Sequence, residues 1–394
     1  MMWRDGEVLG QRRVWGRPPR RCAELSVRLT AAPVGALALP AGQDVRAVAY
    51  EQVTGLPGPG EHVRLEVSAL ARGLGTGGHA MVSARLEVLP EDSPAPGHLV
   101  KARYMPDQVM VQGVDEQGTA HHDLLSAPAG ALGLEGMPVV VADLHSSLPA
   151  VLAGLACPTG SAVLVPVRQR PRTVYVMTDG GALPAAYSRA VAGLSQAGWL
   201  AGTVTCGQAW GGDLEAVSLH NALLAARHVL GAEVAVVIQG PGNLGTDTPW
   251  GFSGVACGEA VNAAAVLGGR AVACLRVSQA DARERHQGVS HHSLTAFGRV
   301  ALADADVVVP VLDGELGVQV RSQAEALCAP RREGRRHRLV TVPADGLLPA
   351  LGEVEAATGV RLSTMGRGLE EDTAAFVTAA AAGRYAADLV GGVH

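Results

Sequence analysis

The chain has 394 residues, of which 48% are hydrophobic and 18% charged, with a net charge of −5, so it carries ample material for a packed core and is not of the disordered class. Of its 32 basic residues 31 are arginine; the single lysine, Lys101, is followed by Ala102 and Arg103 and has no glycine run before it. That excludes a P-loop nucleotide site, a kinase-type ATP site and a pyridoxal phosphate (PLP) enzyme, each of which needs a correctly framed lysine.

Residues 1–21 hold six arginines and no apolar stretch, so they do not read as a secretory signal. From there to about residue 135 the hydrophobic period is two, in segments 24–30, 44–50, 62–68 and 81–89, with Gly/Pro turns such as 55–60 between them. This predicts a small N-terminal antiparallel β domain, a barrel or a sandwich, over 1–125. The Pro- and Ala-rich stretch 126–136 reads as a linker. Residues 137–394 then alternate short apolar strands with helix-length segments. The strands are 138–142, 174–178, 203–206, 234–238, 271–275, 307–311 and 338–342; the helices include 183–197, 214–230, 256–267, 293–305 and 370–389. Strands apolar on both faces, each followed by a helix, predict an α/β fold with a doubly wound, mostly parallel sheet and helices on both faces.

No apolar run reaches about 18 residues, which argues against a membrane span. The six cysteines form no C-x-x-C pair, which disfavours a zinc ribbon and suits a reducing cytoplasm. The charge is slightly acidic, and apart from the arginine-rich start and 331–338 there is no basic stripe, so nucleic acid is not expected as a partner. Few charges and strand-rich edges favour a homodimer.

An open parallel sheet binds ligands beyond the carboxyl ends of its strands. There the sequence places Asp143-Leu-His145-Ser-Ser147, Asp179-Gly180-Gly181-Ala182, Gly207-Gln-Ala-Trp-Gly-Gly-Asp213, and a long segment from Gln239 through Gly240-Pro-Gly242-Asn243-Leu-Gly245-Thr246-Asp-Thr248 to Gly251-Phe-Ser253-Gly254. After the fifth strand comes Arg276, then Ser290-His291-His292-Ser293. The opposite strand ends lack such residues. Asparagine occurs only at 221, 243 and 262, which places all three beside this glycine-rich segment.

Gly240-Pro-Gly242-Asn-Leu-Gly245 fits G-x-G-x-x-G, but Pro249, Gly251 and Gly254 delay the helix and no ribose-binding acid follows, so NAD(P) is disfavoured. The loop can instead hold an anion on its backbone N–H groups with Thr246, Thr248 and Ser253; the alternative is a structural loop. His291 and His292 fall at a helix start, capped by a serine, where an imidazole stays neutral; of two adjacent histidines at most one is expected to face the site. Asp179 and Asp213 are candidate proton carriers, and each is equally placed to cap a helix. A divalent metal on His286, His291 and His292 with an aspartate stays open, since H-E-x-x-H is absent and nothing fixes a coordination number. A serine hydrolase at Ser253 is weak, with Val255 where G-x-S-x-G needs glycine.

Several of these motifs occur in the same order in a known family. Gly73-Leu-Gly-Thr-Gly-Gly78, Val139-Val-Ala-Asp-Leu-His145-Ser146, Met177-Thr-Asp-Gly-Gly-Ala-Leu-Pro184, Gly211-Gly-Asp-Leu-Glu-Ala216, Gly240-Pro-Gly242, Gly251-Phe-Ser-Gly254 and Ser290-His-His292 resemble the bacterial family of uncharacterised proteins named domain of unknown function 3866, over about residues 5 to 310. The resemblance implies a cytosolic bacterial protein with one shared pocket but no nameable activity. In the family pattern the position of Asp247 is usually glycine, which demotes that acid.

The expectation is a two-domain enzyme, a hydrolase or group transferase for a small anionic or phosphorylated metabolite. The loop around Gly240, Gly242, Asn243, Gly245 and Gly254 with Gly180 and Gly181 would hold the anion, and Arg276 would neutralise it. Asp179, Asp213, His291 or His292 would move protons. The alternative is a non-catalytic ligand-binding or regulatory protein whose β domain contacts a partner. Geometry separates the two: an enzyme should bring His291 or His292 within hydrogen-bond reach of Asp179 or Asp213.

Overall fold

The computed structural model describes residues 1–92, 96–161, 163–330, 334 and 337–392, so most of the basic run 331–338 lies outside the described residues. The chain divides into two compact units, residues 1–112 with 186–192, and 113–185 with 193–394.

In the first unit, β1 (Trp3–Trp15), β2 (Cys22–Ala31), β3 (Asp44–Tyr50), β4 (His62–Glu66) and β5 (Ala80–Arg85) close into a barrel in the order β1-β2-β3-β5-β4. Alternation drives it: Leu25, Val27 and Leu29 of β2, Val63 and Leu65 of β4, and Ala47 and Ala49 of β3 point inward and are fully buried. Most neighbours are antiparallel, but β3 and β5 pair in parallel. The first strand escapes the period-two pattern because its second half, with Arg12 and Arg13, is largely exposed and is held by main-chain pairing to β2.

The second unit is an eight-stranded sheet. Its strands are β6 (Pro138–Ala142), β7 (Thr173–Thr178), β8 (Gly202–Thr205), β9 (Leu214–Glu215), β10 (Val234–Gln239), β11 (Arg270–Cys274), β12 (Asp306–Pro310) and β13 (Arg338–Val342), in the order β9-β8-β7-β10-β6-β11-β12-β13. Every pair is parallel. Val139 and Val141 of β6, with Ala235 and Val237 of β10, pack on α2 (Leu219–His228), α3 (Ala256–Val266) and α5 (Gly314–Cys328), the last two flanking the short α4 (His291–Thr295). The alternate residues, such as Val140, Tyr175 and Val272, are equally buried and face the other side, where α1 (Leu148–Leu155), α6 (Leu347–Thr358) and α7 (Thr373–Val390) lie. Helix α7 reaches α1 almost backbone to backbone: a Cβ on Gly154 would lie 1.8 Å from the Ala380 carbonyl oxygen.

The segment 126–136 is tied to this sheet. Leu134 is fully buried in the sheet core, and the amides of Leu134 and Gly136 donate to the carbonyls of Leu267 and Gly268. Two expected helices are shorter than their apolar patterns. Leu214 and Glu215 form the edge strand β9, so α2 starts only at Leu219, capped by the Ser218 hydroxyl. After α4 the chain passes into a π-helical turn, Ala296–Val300, which Asn262 closes by accepting the amides of Leu302 and Ala303.

The order of strands fixes where a ligand can enter. From β6 the chain moves to β7 by way of α1 on one face; from β10 it moves past β6 to β11 by way of α3 on the other face. The neighbours β10 and β6 therefore send their following segments apart, and their carboxyl ends open a crevice at the switch point.

Candidate functional site

Asp143 is the first residue after β6 and stands at that switch point, only 4% exposed. Both carboxylate oxygens are used. Oδ1 accepts from Asn243 Nδ2 at 2.7 Å and from Gln239 Nε2 at 3.4 Å, while Oδ2 lies 2.9 Å from His292 Nδ1 and 3.4 Å from an Arg276 guanidinium nitrogen. Burial raises the Asp143 pKa, but hydrogen bonding to His292 and the charges of His292 and Arg276 outweigh it, and the net shift is downward. An ionised Asp143 requires the proton to sit on His292 Nδ1, because two lone pairs 2.9 Å apart would repel. Arg276, 3.1 Å from the same nitrogen, then donates to the carboxylate rather than to the ring.

The segment that follows β11 folds back to bring the histidines here. Val277 and Ser278 pair with Gly288 and Val289 in a short hairpin, and the Ser290 amide donates to the Arg276 carbonyl. Ser290 caps α4 by accepting the His292 amide, and the Arg276 amide donates to Ser293 Oγ. As a result the rings of His286, His291 and His292 stand with centroids 4.5 to 5.1 Å apart, and one ring nitrogen from each lies within 4.8 Å of the others. Both members of the adjacent pair enter the cluster. Phe252 stacks on His292 at 3.8 Å with the planes 8° apart. His286 is held neutral by burial and by Arg276 and Arg283, its pKa lowered to about 3; burial and the charges of His292, Arg285 and Arg276 lower His291 to about 4.

The glycine-rich segment works mainly as a spacer that lets strand ends touch. A Cβ on Gly180 would lie 2.2 Å from Gln239 Oε1, on Gly181 2.2 Å from the Gly240 carbonyl oxygen, on Gly240 2.2 Å from the Ala182 carbonyl oxygen, and on Gly254 1.9 Å from Asp143 Oδ1. Only Gly242 of the loop's glycines has a positive φ, 90°. The amides of Leu244, Thr246, Gly251 and Ser253 donate to Ser253 Oγ, the Gly251 carbonyl, Thr248 Oγ1 and the Leu244 carbonyl. Thr246 and Thr248 bond to each other. These amides are thus engaged within the loop, while the Ser253 hydroxyl accepts one of them and Thr246 and Thr248 bond to loop atoms. Asp247 sits at its tip with φ 67°, a conformation that suits glycine, and pairs with Arg285.

The other expected acids lie elsewhere: Asp179 follows the carboxyl end of β7, whereas Asp213 precedes β9 on the amino side of the sheet rather than at a carboxyl end. Asp213 Oδ2 accepts the amide and the hydroxyl of Thr203, both at 2.9 Å, and so pins the start of β8. Asp179 accepts the Gln208 amide at 2.8 Å and packs against Gly207. The histidine partner is Asp143, a strand-end acid whose special place depends on strand order. Of the asparagines, Asn243 touches the site, Asn262 closes the π turn and Asn221 donates to Asp115. Beneath the crevice a cavity of about 20 Å³, room for roughly one water, is lined by Gln239, Gly254 and Cys257 among others, and Gln239 Oε1 is buried with no hydrogen-bond partner among the described residues.

Fold and site together define a parallel α/β protein with an Asp–His pair at its switch point. The chain matches the family described as Protein of unknown function (DUF3866) over residues 46–383, and it belongs to that family. No curated protein matches it. Among the described residues, no helix is long and apolar enough to cross a membrane.

Proposed function

We propose that the switch-point crevice is the active site of a hydrolase or group transferase that acts on a small anionic or phosphorylated metabolite. The observation that carries this reading is the 2.9 Å contact between Asp143 and His292 Nδ1. An ionised carboxylate on Nδ1 leaves the lone pair on Nε2, so His292 is oriented to take a proton from water or a substrate hydroxyl and to return it to a leaving group. Phe252 and the buried Asp143 hold the ring, which is the positioning such a transfer needs. The guanidinium groups of Arg276 and Arg285 act on His291, and an anion entering the crevice would compete for them with Asp143 and Asp247. The six cysteines, all free, support a cytoplasmic location.

A thermal-shift screen with inorganic phosphate, sugar phosphates and nucleotides identifies the ligand, and turnover of that ligand tests the chemistry. His292→Asn should lower turnover by about 10²–10⁴-fold with little change in ligand affinity. Asp179→Ala should leave turnover near the wild-type value. Undiminished turnover in His292→Asn overturns the catalytic assignment, and a screen in which no phosphorylated compound binds overturns the substrate class.

A further inference from the structure

We propose that His286, His291 and His292 form a three-imidazole site for a divalent transition ion of the zinc class, with Asp143 and Ser290 orienting two of its ligands. One ring nitrogen from each histidine already lies within 4.8 Å of the other two. Ligands of a tetrahedral site with metal–nitrogen bonds of about 2.1 Å stand roughly 3.4 Å apart, so closing the site takes about 1 Å of side-chain movement. The hydrogen bonds leave one nitrogen of two of the rings for an ion. Asp143 engages His292 through Nδ1 and leaves Nε2 for the ion. His286 Nδ1 lies 2.7 Å from Ser290 Oγ; donation from this nitrogen to the hydroxyl, which already accepts the His292 amide, leaves His286 Nε2 free as well. A hydrogen-bonding partner thus stands behind two of the three ligands, the kind of arrangement that fixes the tautomer at metal-bound imidazoles.

The charges facing the cluster are Arg276, Arg283 and Arg285, and each has its own carboxylate: Asp143 at 3.4 Å, Asp281 at 2.9 Å, and Asp247. An incoming cation therefore meets paired rather than free guanidinium groups. Three protein nitrogens leave a position for water or substrate, and neutral imidazoles favour zinc-like ions over magnesium or calcium. The inference concerns the same crevice and competes with the proton-transfer reading for one lone pair, since His292 Nε2 cannot bind an ion and accept a proton at once.

The test uses the full chain without an affinity tag, stripped with a chelator and titrated with cobalt(II) while its visible absorption and metal content are followed. One cobalt per chain, displaced by zinc, is expected. His291→Ala should weaken binding at least about tenfold and Asp143→Asn about 10–100-fold, whereas His220→Ala, an exposed residue on α2, should bind as wild type. His291 is only partly buried, so its variant should keep the wild-type melting profile. Absence of stoichiometric cobalt, or wild-type affinity in a folded His291→Ala, overturns the proposal. Stoichiometric cobalt without any phosphorylated ligand would overturn the substrate reading and support the metal site, and the reverse result would do the opposite.

Discussion

Asp143 follows the carboxyl end of β6, whereas Asp213 precedes β9 beside the start of β8, and the two differ in what they touch. Asp213 is exposed and bonds to the amide and hydroxyl of Thr203, groups that cannot change their charge. Asp143 is enclosed and bonds to an imidazole, a guanidinium and two carboxamides. The first carboxylate is a latch that starts β8 in register. The second fixes which nitrogen of the His292 ring faces the carboxylate and leaves the other turned away from it. A strand-end acid therefore declares its role through its partners, and those of Asp143 come from distant segments: Gln239 by 96 residues, Asn243 by 100, Arg276 by 133 and His292 by 149.

The widest test of this contrast is a pair of alanine variants. Asp143→Ala strands Arg276, whose side chain is 8% exposed, as an uncompensated buried charge and should destabilise the fold by about 3–5 kcal/mol. Asp213→Ala loses hydrogen bonds at a wet site, about 1–2 kcal/mol. Urea unfolding of the two side by side checks this; equal losses would erase the distinction. A narrower test lies within one loop. Gly254→Ala forces a methyl against Asp143 Oδ1 and should cost about 1–3 kcal/mol together with any binding in the crevice, whereas at Gly245 the nearest atom to a new Cβ is 3.9 Å away and the change should be close to neutral.

The smallest effect sharpens the idea of a latch. Asp306 at the start of β12 is paired with Arg338, Arg270 and the Tyr385 hydroxyl. Burial pushes its pKa up, but the hydrogen bonds from those three partners outweigh burial, and it ends below its usual 3.8. A carboxyl whose folded pKa lies below the unfolded value contributes stability above the unfolded value and loses it as pH falls through the folded one. Wild type should therefore exceed Asp306→Asn in urea midpoint by a constant margin from pH 7 to 5, and the margin should shrink below about pH 4. A margin unchanged at pH 3 would mean that Asp306 is not titrating as a paired group.

Local pattern made much of the fold readable. Runs such as Pro-Val-Val-Val-Ala at 138–142 have no polar face, so only a strand covered on both sides satisfies them, and that alone implies helices above and below. Period two in β2 and β4 marks a surface with one wet face, as the barrel provides. What stayed hidden depends on long-range order. That Asp143 rather than Asp179 meets His292 follows from β10 inserting between β7 and β6, which no single segment encodes. Leu214–Glu215 looked helical because its two residues continue the apolar pattern of α2, yet parallel pairing with β8 claims them. Phe252 carried a readable signal: phenylalanine is as scarce as asparagine here, three residues in all, and one is kept where it stacks on the site's histidine.

The small cavity under Gly254 also gives the crevice a built-in clock. Cys257 of α3 lines it, its thiol pushed well above the usual range by burial, by the nearby charge of Asp143 and by the neighbouring Cys274 thiol. Alkylation requires a thiolate within reach of the reagent, and the closed form supplies neither access nor ionisation. Labelling of this sulfur therefore waits on an opening of the packing around it, which can be local and far more frequent than unfolding of the whole sheet.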